Sequence, residues 1–381
     1  MVTMDSSNAT NGTHSLSGAI FTGEGWIQGE LHWQHGVLTP VTGQPIAEHD
    51  ARPPYLVPGF IDLHVHGGGG RDVMEGGSAM ATIAASHAQH GTTSLLATTM
   101  TASHQDIVTA LESVAAYCEQ QANDIVAADV IGAHLEGPYI NAGKLGAQPD
   151  ATRVATVEEL ELYHRLLPLK VITLAPECLE QNGALEWLLS QQIRVQAGHT
   201  LATYEQAQQA WEAGVRGFTH LFNAMPPLNH RAPGLLGFAL ANAEYAEIIP
   251  DLVHVHAGAL NTALRAIPSL YAITDGTAAC AMPDGEYRLG TQPVFKQGGC
   301  VRLHDGNLAG SCLTLDQALR NLVTLGRSLG DACQRVSTIP ARYLGLNDRG
   351  QLAEGYRADI AVLDQRLQLT KVVCAGREVP R

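Results

Sequence analysis

No apolar run in this 381-residue sequence reaches the length of a membrane span, so no membrane partner is expected. Basic residues are scarce: 23 Lys and Arg stand against 37 Asp and Glu, a formal net charge of −14. That balance argues against a nucleic-acid partner. It leaves room for an anionic ligand, because a local pocket can oppose the global field. Cysteine is sparse and unpatterned. The seven, at 118, 178, 280, 300, 312, 333 and 374, form no CxxC pair and are odd in number, which reads as reduced thiols in a cytoplasmic protein. Residues 1–17 are polar and rich in Ser, Asn and Thr. They lack the basic start and apolar core of a signal peptide and are expected to form a disordered tail.

What is present points to an α/β protein. The length allows one large domain and a smaller one, and the 39 glycines suit many tight turns. Residues 18–57 read as short strands broken by turns, and the texture returns over 346–381. Neither stretch can bury a core alone, so the two are expected to form one small β-sandwich domain. Between them, over 58–345, short apolar runs alternate with helix-length segments. The runs are Phe60–His66, Thr93–Thr98, Val130–Glu136, Val171–Leu174, Val195–His199, Phe218–Phe222, Leu252–Val255 and Tyr271–Thr274. The helices include Ala79–His90, His104–Gln120, Val157–Leu166, Tyr204–Ala213 and Leu315–Gly326. This alternation implies a parallel sheet, either an open doubly wound one or a closed (β/α)8 TIM-type barrel. Chemically active residues end strand after strand: His64 and His66, Glu136, His199, His220, His254, Asp275. In a barrel those ends converge on one face, whereas in an open sheet the first and eighth would lie far apart.

Each of these residues has a plain reading beside the functional one. Alternation on a strand puts His64 and His66 on one side, where both can meet a metal. With 17 histidines, however, roughly one such HxH arises by chance, and a second stands at His254–His256. Glu136 closes an apolar strand, which is costly unless the carboxylate is paired or metal-bound. His134, two residues before it, could brace it. His199 and His220 could each be a satisfied core histidine. Asp275 could cap a helix, or serve as a general base beside an activated water.

In order along the chain stand HLEGPYIN, GHT, THLFNAMPPL, RAPGLLG, TDGT, PDGEYRLG, LAGSCLTLDQALRN and GYRADIAVLD. Together they resemble the amidohydrolase superfamily and, within it, the N-acetylglucosamine-6-phosphate deacetylase family, from about Pro58 to the C-terminus. The resemblance implies the barrel-plus-sandwich architecture and hydrolysis of a sugar acetamide. It implies that Glu136, His199 and His220 hold the principal divalent metal, zinc in the first place with iron as the alternative. His64 and His66 would hold a second ion and share Glu136, giving one or two ions per subunit. Asp275 would shuttle the proton. Gln148 stands where several members have a His near the substrate carbonyl. The phosphate would fall to the backbone amides of Asn223 and Ala224, to His254 and to Arg231, the last reaching across a homodimer. The expected partner is thus a small amino-sugar phosphate, either the glucosamine or the galactosamine epimer. Other amidohydrolase substrates and a non-catalytic sugar-phosphate binder remain as rivals.

Overall fold

The computed structural model describes residues 13–121 and 126–380. Five strands come first: β1 (Thr13–Phe21), β2 (Trp26–Gln34), β3 (Val37–Leu38), β4 (Thr42–Ile46) and β5 (Tyr55–Pro58). Then β6 (Phe60–Val65) and a small hairpin, β7 (Gly67–Gly68) with β8 (Arg71–Asp72), open a strand–helix repeat. It continues through α1 (Ala79–Gln89), β9 (Thr92–Thr99), α2 (His104–Gln121), β10 (Asp129–Glu136), α3 (Val157–Leu166), β11 (Leu169–Leu174), α4 (Ala184–Ser190) and β12 (Arg194–Ala197). The second half is α5 (Tyr204–Ala213), β13 (Gly217–Phe218), α6 (Gly234–Asn242), β14 (Tyr245–Ile248), α7 (Ala257–Ala266) and β15 (Ser269–Ala272). A meander of β16 (Gly285–Leu289), β17 (Gln292–Gln297) and β18 (Cys300–Arg302) intervenes before α8 (Leu315–Thr324). Short helices α9 (Leu329–Cys333) and α10 (Ile339–Leu344) lead to β19 (Ile360–Leu363), β20 (Leu369–Cys374) and β21 (Arg377–Glu378).

The sheet is parallel and closed. Six strands run in the order β6-β9-β10-β11-β12-β13, and β14 pairs with β15 in parallel register. Leu221 N donates to Glu247 O at 2.9 Å, joining the sixth strand to the seventh. Asp275 N donates to His64 O at 3.0 Å and Val65 bridges Gly276, joining the eighth to the first. The fold is therefore a (β/α)8 barrel. Its first strands, β6 and β9, are buried at every position, as parallel strands covered on both faces must be. Local sequence punctuates the helices. Thr203 and Gln206 make a capping box for α5, and Gly214 ends it at φ +118°.

Two expectations are corrected. The seventh strand is β14, not Leu252–Val255. In that segment Val253 N and His254 N both donate to Asp251 Oδ1, at 2.9 and 2.8 Å, and Leu252 turns the chain at φ +65°. The true strand was masked because Glu247 interrupts its apolar run. Residues 13–17, expected within a disordered tail, lie in β1 with Leu16 buried. The rest of that tail, residues 1–12, falls outside the described residues.

The remaining strands form one eight-stranded sheet, ordered β21-β20-β19-β5-β1-β2-β3 with β4 beside β2. Strand β5 joins the two groups, pairing with β1 in parallel and with β19 antiparallel. A separate small core that includes Leu31, Trp33, Leu56, Ile360 and Val373 lies against it. The segment approaching β19 is tied to the barrel by charge. Arg349 Nη1 donates to Asp129 Oδ2 at 2.7 Å and to Ser94 Oγ at 2.9 Å, and Arg357 Nη1 donates to the same carboxylate oxygen at 2.9 Å. Asp129→Ala removes the carboxylate that bridges the two guanidiniums and leaves Arg349 to Asp348 and Arg357 to Asp359. The expected cost is about 2–3 kcal/mol, below the roughly 3–5 of a fully buried pair, because Asp129 keeps some contact with water. Equilibrium urea unfolding checks this, and a loss under about 0.5 kcal/mol, the usual limit for an inert surface change, would contradict it.

Candidate active site

The chemically active residues collect where the barrel strands end. His64 and His66 leave β6 on one face. Glu136 is the last residue of β10. Gly137 follows it at φ +73°, where an added Cβ would overlap the Thr101 hydroxyl, so the strand end can turn here only with glycine. His199, His220 and Asp275 stand just beyond β12, β13 and β15, at φ +47°, +27° and +49°. Left-handed backbone costs a non-glycine residue of order 1 kcal/mol or more and persists where the surroundings enforce it. Here it turns three side chains inward at the barrel mouth.

Glu136 is the hub. Its Oε1 lies 3.2 Å from His199 Nε2, 3.1 Å from His220 Nε2 and 3.5 Å from His64 Nε2. Its Oε2 lies 3.1 Å from His66 Nε2. Asp275 Oδ1 sits 3.5 and 3.4 Å from the Nε2 atoms of His64 and His66. All six side chains are buried. Burial would raise both carboxyl groups, but His64 foremost among the imidazoles holds Glu136 well below, and Asp275 below, the usual range. Burial likewise opposes charge on the imidazoles, yet the carboxylates prevail. Glu136, Glu247 and Asp275 lift His64 well above its ordinary value, and Asp275 with Glu136 lifts His66 to about 9.

The outer nitrogens determine what the inner ones offer. His64 Nδ1 faces Glu247 Oε2 at 3.0 Å, His66 Nδ1 faces Thr98 O at 3.2 Å, and His199 Nδ1 faces Lys144 O at 2.8 Å. These oxygens only accept, so each Nδ1 carries a proton and Nε2 is the nitrogen that each ring turns toward the carboxylates and would free for a cation. The inner nitrogens meet: His64 and His66 Nε2 are 3.2 Å apart, and those of His199 and His220 are 3.1 Å apart. Two groupings, Glu136–His199–His220 and His64–His66–Asp275, bring their ligand atoms within 4.8 Å of one another. Imidazole nitrogens converging beside a buried carboxylate fit a divalent cation, which would take the place of their inner protons. The third grouping, His64–His134–Glu247, is closed. His134 spends Nδ1 on Leu63 O at 3.0 Å and Nε2 on the Thr173 hydroxyl at 2.7 Å. It braces the barrel and does not touch Glu136 through either nitrogen.

A cleft of about 570 Å³ opens onto this cluster, lined by His66, Glu136, Gln148, His199, His220, Asn223, Ala224, His254 and Asp275, with Met100, Leu289 and Leu308 as apolar walls. The expected substrate residues fare differently. Gln148 is held in place: its Nε2 donates one N–H to Glu136 Oε2 at 2.5 Å and its Oε1 accepts from Thr101 N at 2.7 Å. Asn223 spends its backbone N–H on His220 O at 3.0 Å and its side chain on the carbonyls of His220 and Leu221. Of that pair only Ala224 keeps an N–H without a protein acceptor among the described residues. His254 lies in the loop after β14 rather than on a strand, and Asp251 Oδ2 holds its Nδ1 at 2.6 Å. Burial opposes its charge, but that carboxylate keeps its pKa above the usual value. Arg231 is exposed and lies outside the cleft walls of its own chain. His256 proves to be a helix cap, accepting from Gly258 N at the start of α7.

Two features escaped the sequence. Glu247 is wholly buried beneath His64, and its signal was the same as that of Glu136, a carboxylate inside an apolar run. The β16–β18 meander supplies Leu289 to the cleft and accepts from no barrel strand periodicity, so nothing in the strand–helix alternation announced it.

Comparison with known proteins agrees with this geometry. The pattern of the Amidohydrolase family matches residues 55–379. The chain is 36% identical to N-acetylgalactosamine-6-phosphate deacetylase of Escherichia coli O157:H7 over 375 residues, 96% of this chain and 99% of that one. It is 38% identical to N-acetylglucosamine-6-phosphate deacetylase of Lysinibacillus sphaericus over 333 residues, 85% of each. Among solved structures, N-acetylglucosamine-6-phosphate deacetylase from Thermotoga maritima superposes with a TM-score of 0.88 at 30% identity, covering 96% of this chain and 99% of that one. A mutant of the Mycobacterium smegmatis enzyme in complex with N-acetyl-D-glucosamine-6-phosphate gives 0.86 at 32% identity, covering 96% and 98%.

The protonation of the cluster gives a pH prediction. His66 moves from an ordinary 6.5 to about 9 on folding, so the metal-free fold binds that proton more tightly than the unfolded chain. Its contribution to stability is complete below about 6.5 and is lost as pH rises to about 9. The melting temperature of metal-free protein should therefore fall across that window. A divalent ion must displace the same protons, so its binding should release protons and strengthen with rising pH. Calorimetric titration in two buffers of different ionisation enthalpy measures this, and metal uptake without proton release would contradict it.

Proposed function

The chain belongs to the amidohydrolase family, and we propose that it is an N-acetylglucosamine-6-phosphate deacetylase, hydrolysing the acetamide to glucosamine 6-phosphate and acetate. The observation that carries the proposal is the cluster of four imidazoles and two carboxylates at the mouth of the barrel, opening onto a cleft. The relatives act on N-acetylated hexosamine phosphates by name. Glu136, His199 and His220 would hold one divalent ion, and His64 and His66 a second with Glu136 shared; zinc suits such N and O donors, with iron as the alternative. A cation so held makes water a nucleophile near neutral pH and polarises an amide carbonyl.

The chain's own residues do the rest. Asp275, facing the cleft with its carboxylate held ionised, takes a proton from the attacking water. As the C–N bond breaks it returns that proton to the amine nitrogen, so the products are acetate and a free amine. Its aim is fixed from both sides: its N donates to His64 O at 3.0 Å and its O accepts from Ser311 N at 2.8 Å. Gln148 donates one N–H to Glu136 and has its Oε1 held by Thr101 N; its second N–H is the donor left for the substrate carbonyl. The phosphate meets the Ala224 N–H and His254. Arg231, outside its own cleft, serves the neighbouring subunit of a homodimer. An acidic, cytoplasmic chain needs such local cations to take a dianion.

A second reading shares every step and differs in one hydroxyl. A relative 36% identical over 96% of this chain is named for N-acetylgalactosamine 6-phosphate, and that epimer is the second reading of the substrate. Acetate release from both epimers, with metal content measured on the same sample, separates the readings. Comparable turnover of neither would overturn both.

Three substitutions test the roles. Glu136→Ala should remove metal and activity together. Asp275→Asn keeps the shape but not the basicity, so kcat should fall at least about 10²-fold while KM changes little; near-normal kcat would remove Asp275 from the mechanism. Arg231→Ala should weaken the preference for phosphorylated over unphosphorylated substrate by roughly 1.5–3 kcal/mol, the range for a charge-assisted bond. Mixing it with Asp275→Asn under subunit exchange should restore activity if Arg231 acts across the dimer. Mixed dimers that stay inactive would place Arg231 in cis or outside the site.

A further inference from the structure

Glu247 is buried to 0% exposure on β14, beneath the cluster and out of reach of substrate. Nothing in the proposed reaction uses it. Its Oε2 faces His64 Nδ1 at 3.0 Å and also accepts from the backbone N of His220 at 3.3 Å. Its Oε1 accepts from the Tyr271 hydroxyl at 3.4 Å, and that hydroxyl accepts from Gln196 Nε2 at 2.9 Å. So one carboxylate touches a residue from each of the two candidate ion groupings, His64 of one and His220 of the other.

We propose that Glu247 is a positioning residue for the metal centre: it fixes the tautomer and ring orientation of His64 and holds His64 and His220 in register. The proposal rests on reading the cluster as a metal centre. The physical reason is that a carboxylate can only accept, so His64 keeps its proton on Nδ1 and Nε2 is the nitrogen that gives its proton up to a cation in the cluster. An anion behind an imidazole also makes its other nitrogen a better donor to a cation. No other group can take over. The ring of His134 stands edge-on to that of His64, with centroids 4.5 Å apart, but both its nitrogens are engaged elsewhere. A merely structural Glu247 would instead act on the fold, with no dependence on His64.

The test is a double-mutant cycle read by metal affinity. Metal-free protein is titrated with Zn²⁺ in competition with a chromophoric chelator, and circular dichroism confirms folding. Glu247→Gln should weaken the ion that His64 binds by about 10–100-fold. In a His64→Ala background the same change should add little. Zn²⁺ binding by Glu247→Gln equal to that of the parent protein overturns the proposal. So does a weakening that persists in full without His64, since Glu247 then acts by another route. If His64→Ala itself leaves Zn²⁺ binding unchanged, the premise that His64 is a ligand falls and takes the proposal with it. Should Glu247→Gln fail to fold, Glu247→Asp keeps the charge one methylene further back. A smaller loss with the same dependence on His64 is then expected, and no loss is the overturning result.

Discussion

One buried carboxylate organises this protein. Glu136 is 1% exposed inside a barrel, where an unpaired charge costs several kcal/mol. Its two oxygens are met by the Nε2 atoms of His64, His66, His199 and His220 and by the amide of Gln148. Those partners come from β6, from the turns after β12 and β13, and from the loop after β10. A single strand cannot assemble them. The charge of Glu136 is tolerable only because the sheet closes and brings first, third, fifth and sixth strands to one point. Closure and site are for this reason the same structural fact.

Beneath the cluster the barrel interior is polar, which is unusual for a layer cut off from water. A continuous chain of contacts runs from Glu247 through Tyr271, Gln196, Thr219 and Thr173 to His134. It passes strands β14, β15, β12, β11 and β10 and the turn after β13, and returns to β6 at Leu63 O. Buried polar groups are costly when unmet and specific when met. This belt therefore fixes the rotation of the strands relative to one another, and with it the direction of the side chains above. The left-handed backbone at His199, His220 and Asp275 is the strained counterpart of that rigid floor.

The lining of the cleft carries the imidazoles and the two carboxylates together with Ala224 and His254. Met100, Leu289 and Leu308 close the walls with apolar surface, which limits water around a reacting amide and strengthens the electrostatics inside. Leu289 ends the first strand of the meander inserted between β15 and α8, and Asp72 ties that insert to the barrel by accepting from Gly290 N at 3.0 Å. The same stretch of chain then supplies Ser311, whose N–H fixes Asp275. Substrate walls and the orientation of Asp275 thus depend on one insertion.

The strand–helix alternation and the strand-end histidines were legible in the sequence, because each is a local pattern set by the period of a helix or strand. The barrel and the meeting of most strand-end residues at its mouth followed from them. Three things were not legible. The seventh strand was misplaced because hydrophobic periodicity treats Glu247 as a break; only a neighbouring strand carrying His64 makes a carboxylate there favourable. The roles of Gln148 and Asn223 could not be read, because whether an amide is free or spent depends on groups such as Thr101, 47 residues away. The place of Arg231, outside its own cleft, depends on how a loop leaves the barrel, and no periodicity records that. The sequence determines which residue types stand at which strand ends. The tertiary structure decides which of their atoms face each other, since hydrogen-bond partners are chosen by distance in space and not along the chain.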